Sequence, residues 1–285
     1  MTKNNTPDFI TLPLTFDGYK WYKPIMTFIV ALIFFIIFQV IVIVVSSGIY
    51  GFNTVLSVAM GGYESMNTEA GQIISDLSII VTLPSIYLAS KIVKDRPFSS
   101  YASSRGGFNV KLYFKALIIP LILYIVYEIV NVFVVGTKGT NHFSIIFFIL
   151  VLICVPLQCI AEEFAFRGLI MQSIGSWVKI PLLVIVIQSV IFALLHGYNS
   201  LGVIEVFIMG IFYGFFTWKT NGIEVSSALH TVNNLVIAIV VMFGLEKTTS
   251  TIEPVDLLTS IVFQVAICAI LYYVGNKTNW FGEIE

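Results

Sequence analysis

Charge is scarce in this chain. Only 11% of its 285 residues are Asp, Glu, Lys or Arg, against roughly 25% in ordinary soluble domains. That deficit excludes a water-soluble globular fold as the main architecture. Cysteine is scarce as well. Cys154, Cys159 and Cys268 are odd in number, lie in apolar stretches and lack CxxC spacing. A disulfide framework and a thiolate zinc site are therefore not expected, and the thiols should pack as small hydrophobes. There is no HExxH sequence, no internal repeat, no low-complexity tail and no segment with the composition of a soluble domain. The Ser and Gly content of the basic segment 91–115 argues against a nucleic-acid platform, so nucleic acid is not an expected partner. The first 23 residues hold Asp8 and Asp17 and no apolar core of a signal peptide. They read as a cytoplasmic tail, with residues 24–285 as one transmembrane domain.

What is abundant is apolar length. Hydrophobic residues make up 58% of the chain, and about 20 of them in a row suffice for a helix to cross the hydrocarbon core. Candidate spans fall near 24–46, 73–92, 116–135, from 143–150 onward, 182–198, 201–218, 223–243 and 257–274. The expected fold is an all-α polytopic bundle of about eight membrane helices around a polar cavity, embedded among membrane lipids.

Cationic residues orient it. Cytoplasmic segments hold an excess of Lys and Arg. With the N-terminus inside, thirteen of the fifteen Lys and Arg fall on inner segments, Lys3 among them, and only Lys138 and Lys247 fall outside. Both termini are expected in the cytoplasm of a bacterial plasma membrane. The segment 91–115 is the most basic. It reads as a topology-fixing loop near anionic lipid, or alternatively as a surface that receives a substrate or partner. The longest outer loop is expected at 51–70, which lacks Lys and Arg.

Polar groups inside spans are functional candidates because burying them is expensive. Asp76 reads as an interface residue near the start of its span. Glu128 and Asn131, three apart, share a helix face and would either bond to one another's surroundings or line a cavity. Glu205 reads as structural. A different pattern begins at Cys159-Ile-Ala-Glu162-Glu163-Phe-Ala-Phe-Arg167-Gly168. Glu163 and Arg167 are helix neighbours, so the arginine neutralises that acid. Glu162 is turned about 100° away and has no local cation, which suits a general base. Two of the three histidines, His196 and His230, fall in two further spans, and Asn234 lies one helical turn beyond His230. The third, His142, falls in an outer loop. A constellation drawn from three spans points to a shared site.

The pattern Glu162-Glu163-x-x-x-Arg167, Phe192-x-x-x-His196 and His230-x-x-x-Asn234 resembles the CPBP family. These are type II CAAX prenyl endopeptidases and their bacterial relatives in bacteriocin processing and self-immunity. The resemblance covers roughly 151–240, with the protease-like core placed at 143–244. It implies an intramembrane endopeptidase acting on a membrane-associated or lipid-modified peptide or protein. By that analogy Glu162 and His196 activate water, and His230 and Asn234 stabilise the oxyanion. Glu163, Arg167 and Phe192 support the site.

Two histidines and a glutamate also have the composition of a zinc site, with Glu163, His196 and His230 as ligands. That composition underlies the metalloprotease label of such proteins. Water activated by Glu and His without a cofactor is the reading adopted. Two other classes compete: a catalytically idle scaffold serving bacteriocin immunity or a sensor kinase, and a proton-coupled transporter. Transporters usually show internal repeats or broken midplane helices, and neither is evident. For residues 162, 196 and 230 to meet at one depth, the fourth helix must run long, from about 150 to 175, and the cavity is expected to open to the cytoplasm.

Overall fold

Apolar length and a few breaks decide the elements. The computed structural model describes residues 7–281, and Lys3 and residues 282–285 lie outside them. The described residues form helices α1 (Lys23–Tyr50), α2 (Phe52–Gly61), α3 (Glu69–Ile80), α4 (Thr82–Val93), α5 (Val110–Val135), α6 (Ile145–Glu163), α7 (Gln172–Val178), α8 (Pro181–Leu194), α9 (Ser200–Lys219), α10 (Glu224–Met242) and α11 (Pro254–Lys277). Seven helical stretches are long and apolar enough to cross a membrane, α3 and α4 counting together as Glu69–Val93. The protein is an integral membrane protein with an all-α polytopic fold.

The expected fifth span is the exception. Helix α8 has 14 residues, about 21 Å of length, too little for a hydrocarbon core of about 30 Å. It stops because the chain reverses over residues 195–199, where Asn199 caps the start of α9 by accepting from Gly202 N at 3.0 Å. The fourth span is the opposite case. Helix α6 passes without interruption through a π-helical stretch, Phe164–Met171, into α7, giving 34 residues from Ile145 to Val178. A long fourth helix was the sequence expectation.

Helix α10 lies at the centre, packed on α5, α6 and α9, while α8 lies on α9 and α1 on α4. The α8–α9 contact is close because Gly210 has no side chain: a Cβ there would lie 3.0 Å from the Ser189 side chain. Outward faces carry large apolar residues such as Ile36, Val44, Phe133 and Leu258, as a helix surrounded by lipid tails requires.

Both connections singled out in the sequence are more structured than expected. The basic segment folds into the bundle. Arg96 is buried, bonds Asp95 at 2.8 Å and lies 3.9 Å over the Tyr101 ring. Tyr101 in turn presses on Gly168, where a Cβ would come 2.5 Å from the Tyr101 carbonyl oxygen. Arg105 reaches Glu224 at the start of α10, at 3.1 Å. Phe9 and Ile10 are fully buried at the same end, so the N-terminal segment packs against the bundle. At the opposite end, 51–70 is not a loop but α2 and a 3-10 turn, Gly62–Asn67. That turn is clasped to residues 245–253. Asn67 and Thr248 exchange two bonds of 2.9 and 2.8 Å, and Ser250 donates to Glu64 at 2.8 Å.

Candidate functional site

Three helices bring the predicted residues together. Glu162 and Glu163 end α6, Arg167 lies in the π-helical stretch, His196 follows α8, and His230 and Asn234 lie on α10. π-Bulges recur at functional sites because they reset the register of side chains along a helix. This one begins directly after the acid pair.

Glu163 is the anchor. It and Arg167 are both fully buried. Arg167 donates to Glu163 Oε1 at 2.9 Å, and His230 Nδ1 meets the same oxygen at 3.0 Å. The guanidinium also lies 4.4 Å over the Phe192 ring and 5.3 Å over Tyr213 and reaches the Gly210 carbonyl at 3.4 Å. Thus α6, α8, α9 and α10 are tied at one point. Phe192 also packs edge-on against His196, with ring centroids 4.6 Å apart.

The hydrogen bonds fix the histidine tautomers. A backbone carbonyl only accepts, so His196 Nδ1, 2.7 Å from Phe192 O, carries the proton and leaves a lone pair on Nε2. A carboxylate paired with arginine also only accepts, so His230 Nδ1 donates to Glu163. His230 Nε2 lies 3.5 Å from Glu162 Oε2 and presents a proton there only as the imidazolium. Asn234 donates through Nδ2 to Gln158 Oε1 at 3.2 Å.

Glu162, His196, His230 and Asn234 all line one cavity of about 240 Å³. Phe192 lines it too, whereas Glu163 and Arg167 lie behind its wall. A second, apolar cavity of about 440 Å³ is lined by Phe28, Leu32 and Phe35 of α1, Ile86 of α4 and Phe166 and Leu169 of the π-helical stretch. The two share Tyr63, Ile79, Glu162 and His196. The acid and the histidine therefore stand at a junction between polar and apolar space.

Several expectations are refined. The polar cavity extends to the end opposite the basic segment. Its wall is completed by Tyr63, Met66, Thr248 and Ile252, at the end where the 3-10 turn and residues 245–253 are clasped. The basic end is filled by Tyr101, Ala102 and Ile223, all buried. Asp76 is buried, accepts from Gln72 at 3.0 and 3.1 Å and lines the cavity. Glu205, expected to be structural, accepts from Ser260 and also lines it. Asn131 donates to Glu246 at 2.8 Å, and a buried oxygen of Glu128 lacks a hydrogen-bond partner. Neither belongs to the cavity wall. The three cysteines are free and buried. Sequence reasoning missed Gln158, Tyr63 and Tyr198 as wall residues. The stacking of Tyr63 on Tyr198, at 4.2 Å, joins positions too far apart in sequence to be linked by spacing.

The residues do not fit a zinc site. Among the described residues no three His, Cys, Asp or Glu side chains are grouped to hold a metal ion. Within the set Glu163, His196 and His230, Glu163 Oε1 is already shared by Arg167 and His230 Nδ1.

Comparison with known proteins agrees with the motif pattern. Residues 141–236 match the family model "Type II CAAX prenyl endopeptidase Rce1-like", and this stretch holds all three motifs. The match covers about a third of the chain and is a likeness over that segment. The chain is also 28% identical over 189 residues to the "Uncharacterized protein YyaK" of Bacillus subtilis (strain 168), covering 62% of each chain. The match thus spans less than two thirds of that relative. No solved structure gives a significant match.

Proposed function

We propose that this protein is an intramembrane endopeptidase that hydrolyses a peptide bond in a membrane-associated or lipid-modified peptide or protein. The observation that carries the reading is the junction at Glu162 and His196. There a proton-accepting pair meets both a polar cavity and an apolar one of about 440 Å³. An alkyl or isoprenoid chain fits the apolar space, and the attached peptide bond then lies beside the acid.

The residues divide the work as peptide hydrolysis requires. A water held between Glu162 and His196 Nε2 gives up a proton as its oxygen attacks the carbonyl carbon. His230, as imidazolium, and Asn234 Nδ2 donate to the developing oxyanion, where preorganised donors give their largest effect. The proton then passes to the leaving amine as the C–N bond breaks. The products are a carboxylate and an amine. Glu163, Arg167 and Phe192 hold His230 and His196 in place. No step needs a metal.

A quenched-fluorescence S-prenylated CAAX peptide, offered to the purified protein in detergent, tests this. Cleavage by the wild type that persists after chelation and disappears in Glu162→Gln is the expected result. No cleavage of the prenylated peptide or of an unmodified control, together with an E162Q variant that retains its function in cells, would favour the idle scaffold.

A further inference from the structure

An amide serves an oxyanion only if its nitrogen, and not its oxygen, faces the reacting carbonyl. The two ends of an asparagine are nearly the same size, so hydrogen-bond partners decide which way it points. The partners that decide for Asn234 lie outside every motif. Tyr124 on α5 donates to Asn233 Oδ1 at 2.6 Å. Gln264 on α11 donates to the Tyr124 hydroxyl at 2.5 Å and reaches Asn233 Oδ1 at 3.4 Å. With its oxygen occupied, Asn233 turns its amide nitrogen to Asn234 Oδ1 at 2.9 Å. Asn234, its own oxygen now occupied, presents Nδ2 to Gln158 Oε1 at 3.2 Å.

The chain has one polarity. Gln264 uses an amide N–H, and Tyr124 has a single proton, which goes to Asn233. Reversing any one bond would reverse those downstream. Tyr124 and Gln264 are buried and lie outside the cavity wall, whereas Asn233, Asn234 and Gln158 line it. We infer that Tyr124, backed by Gln264 and acting through Asn233, is a positioning residue that holds the Asn234 amide with its donor toward the reacting carbonyl. This rests on the proposed role of Asn234 as an oxyanion donor. The hydrogen-bond polarity itself does not.

Two readouts separate the two claims. The first is cleavage of the prenylated CAAX peptide by the purified full chain. Asn233→Asp replaces the donor to Asn234 by an acceptor, so the Asn234 nitrogen turns to it and its oxygen faces the cavity. kcat should fall about 100-fold, the scale of one lost oxyanion donor, with KM changed less than about twofold. Tyr124→Phe should cost about tenfold in kcat, since Gln264 still reaches Asn233. Asn233→Ser keeps a hydroxyl donor and should lose less than N233D. Equal losses in N233D and N233S, or kcat and KM moving together, would overturn the inference. The second readout is the side-chain amide resonance pair of Asn234 in [15N]asparagine-labelled protein in micelles, identified by its loss in Asn234→Asp. Tyr124→Phe should shift this pair, although Tyr124 does not touch Asn234. An unshifted pair overturns the relay even if the wild type cleaves. If the wild type cleaves nothing, the peptidase reading falls and the resonance alone decides the relay.

Discussion

Two adjacent acids occupy different worlds. Glu163 shares one oxygen between a guanidinium and an imidazole, at 2.9 and 3.0 Å, and has no exposed surface. Glu162, one residue earlier, meets only His230 Nε2 at 3.5 Å among charged partners, keeps 12% of its side chain exposed and stands where two cavities join. The difference teaches which acid is tied into the bundle and which faces open space. A charge already compensated by protein is expensive to disturb and chemically occupied. A charge facing space is available to water and substrate.

The largest break of that contrast is expected from Arg167→Ala. It strands a fully buried Glu163, and breaking one side of a buried ion pair costs about 3–5 kcal/mol. Thermal unfolding in detergent, or yield of folded protein, should show this as a large loss before activity is even considered. Glu162→Gln should do the reverse. Folding should stay near wild type, while cleavage falls about 10²–10⁴-fold with loss of the general base. Equal stability losses in R167A and E162Q would erase the distinction between the acids. Asn234→Ala should lower kcat about 10²–10³-fold, a smaller effect than losing the base, again without a matching loss of stability.

A gentler test reaches the clasp at the cavity's far end. Hydrogen bonds from the Ser250 side chain and backbone hold Glu64 below the usual carboxylate range. A lowered folded-state value means the clasp is fully favourable above the ordinary glutamate value of about 4.3. It weakens as pH falls below that value and through the lower folded one. Hydrogen exchange at residues 245–253 should quicken over that acidic window in the wild type but not in Glu64→Gln. The effect is the smallest of the four, since Glu64 is exposed to water.

Much of this was legible in the sequence because charge in apolar surroundings needs a reason. Glu162, Glu163, Arg167, His196, His230 and Asn234 stood out against stretches with no other charge, and the i, i+4 spacing of Glu163 and Arg167 announced their pairing. Other wall residues were not legible. Asp76 bonds a residue on its own helix, and nothing in its local sequence says that the helix faces the cavity. Gln158, one helical turn before Glu162, and the Tyr63–Tyr198 stack are ordinary until their helices are packed. The reach of the cavity toward residues 245–253 was not legible because charge counts report on loops. They do not report that Tyr101 and Arg96 plug one end of the bundle.

The sequence by itself determined that the chain is a membrane helix bundle and which few polar side chains stand out within it, because bilayer solvation penalises every uncompensated charge. Only the tertiary structure decided which of those side chains are tied into the bundle and which face the cavities. Which oxygen the His230 ring meets and which way an asparagine amide points are set by partners on other helices. Those partners come within about 3 Å only once α5, α6, α10 and α11 are packed together.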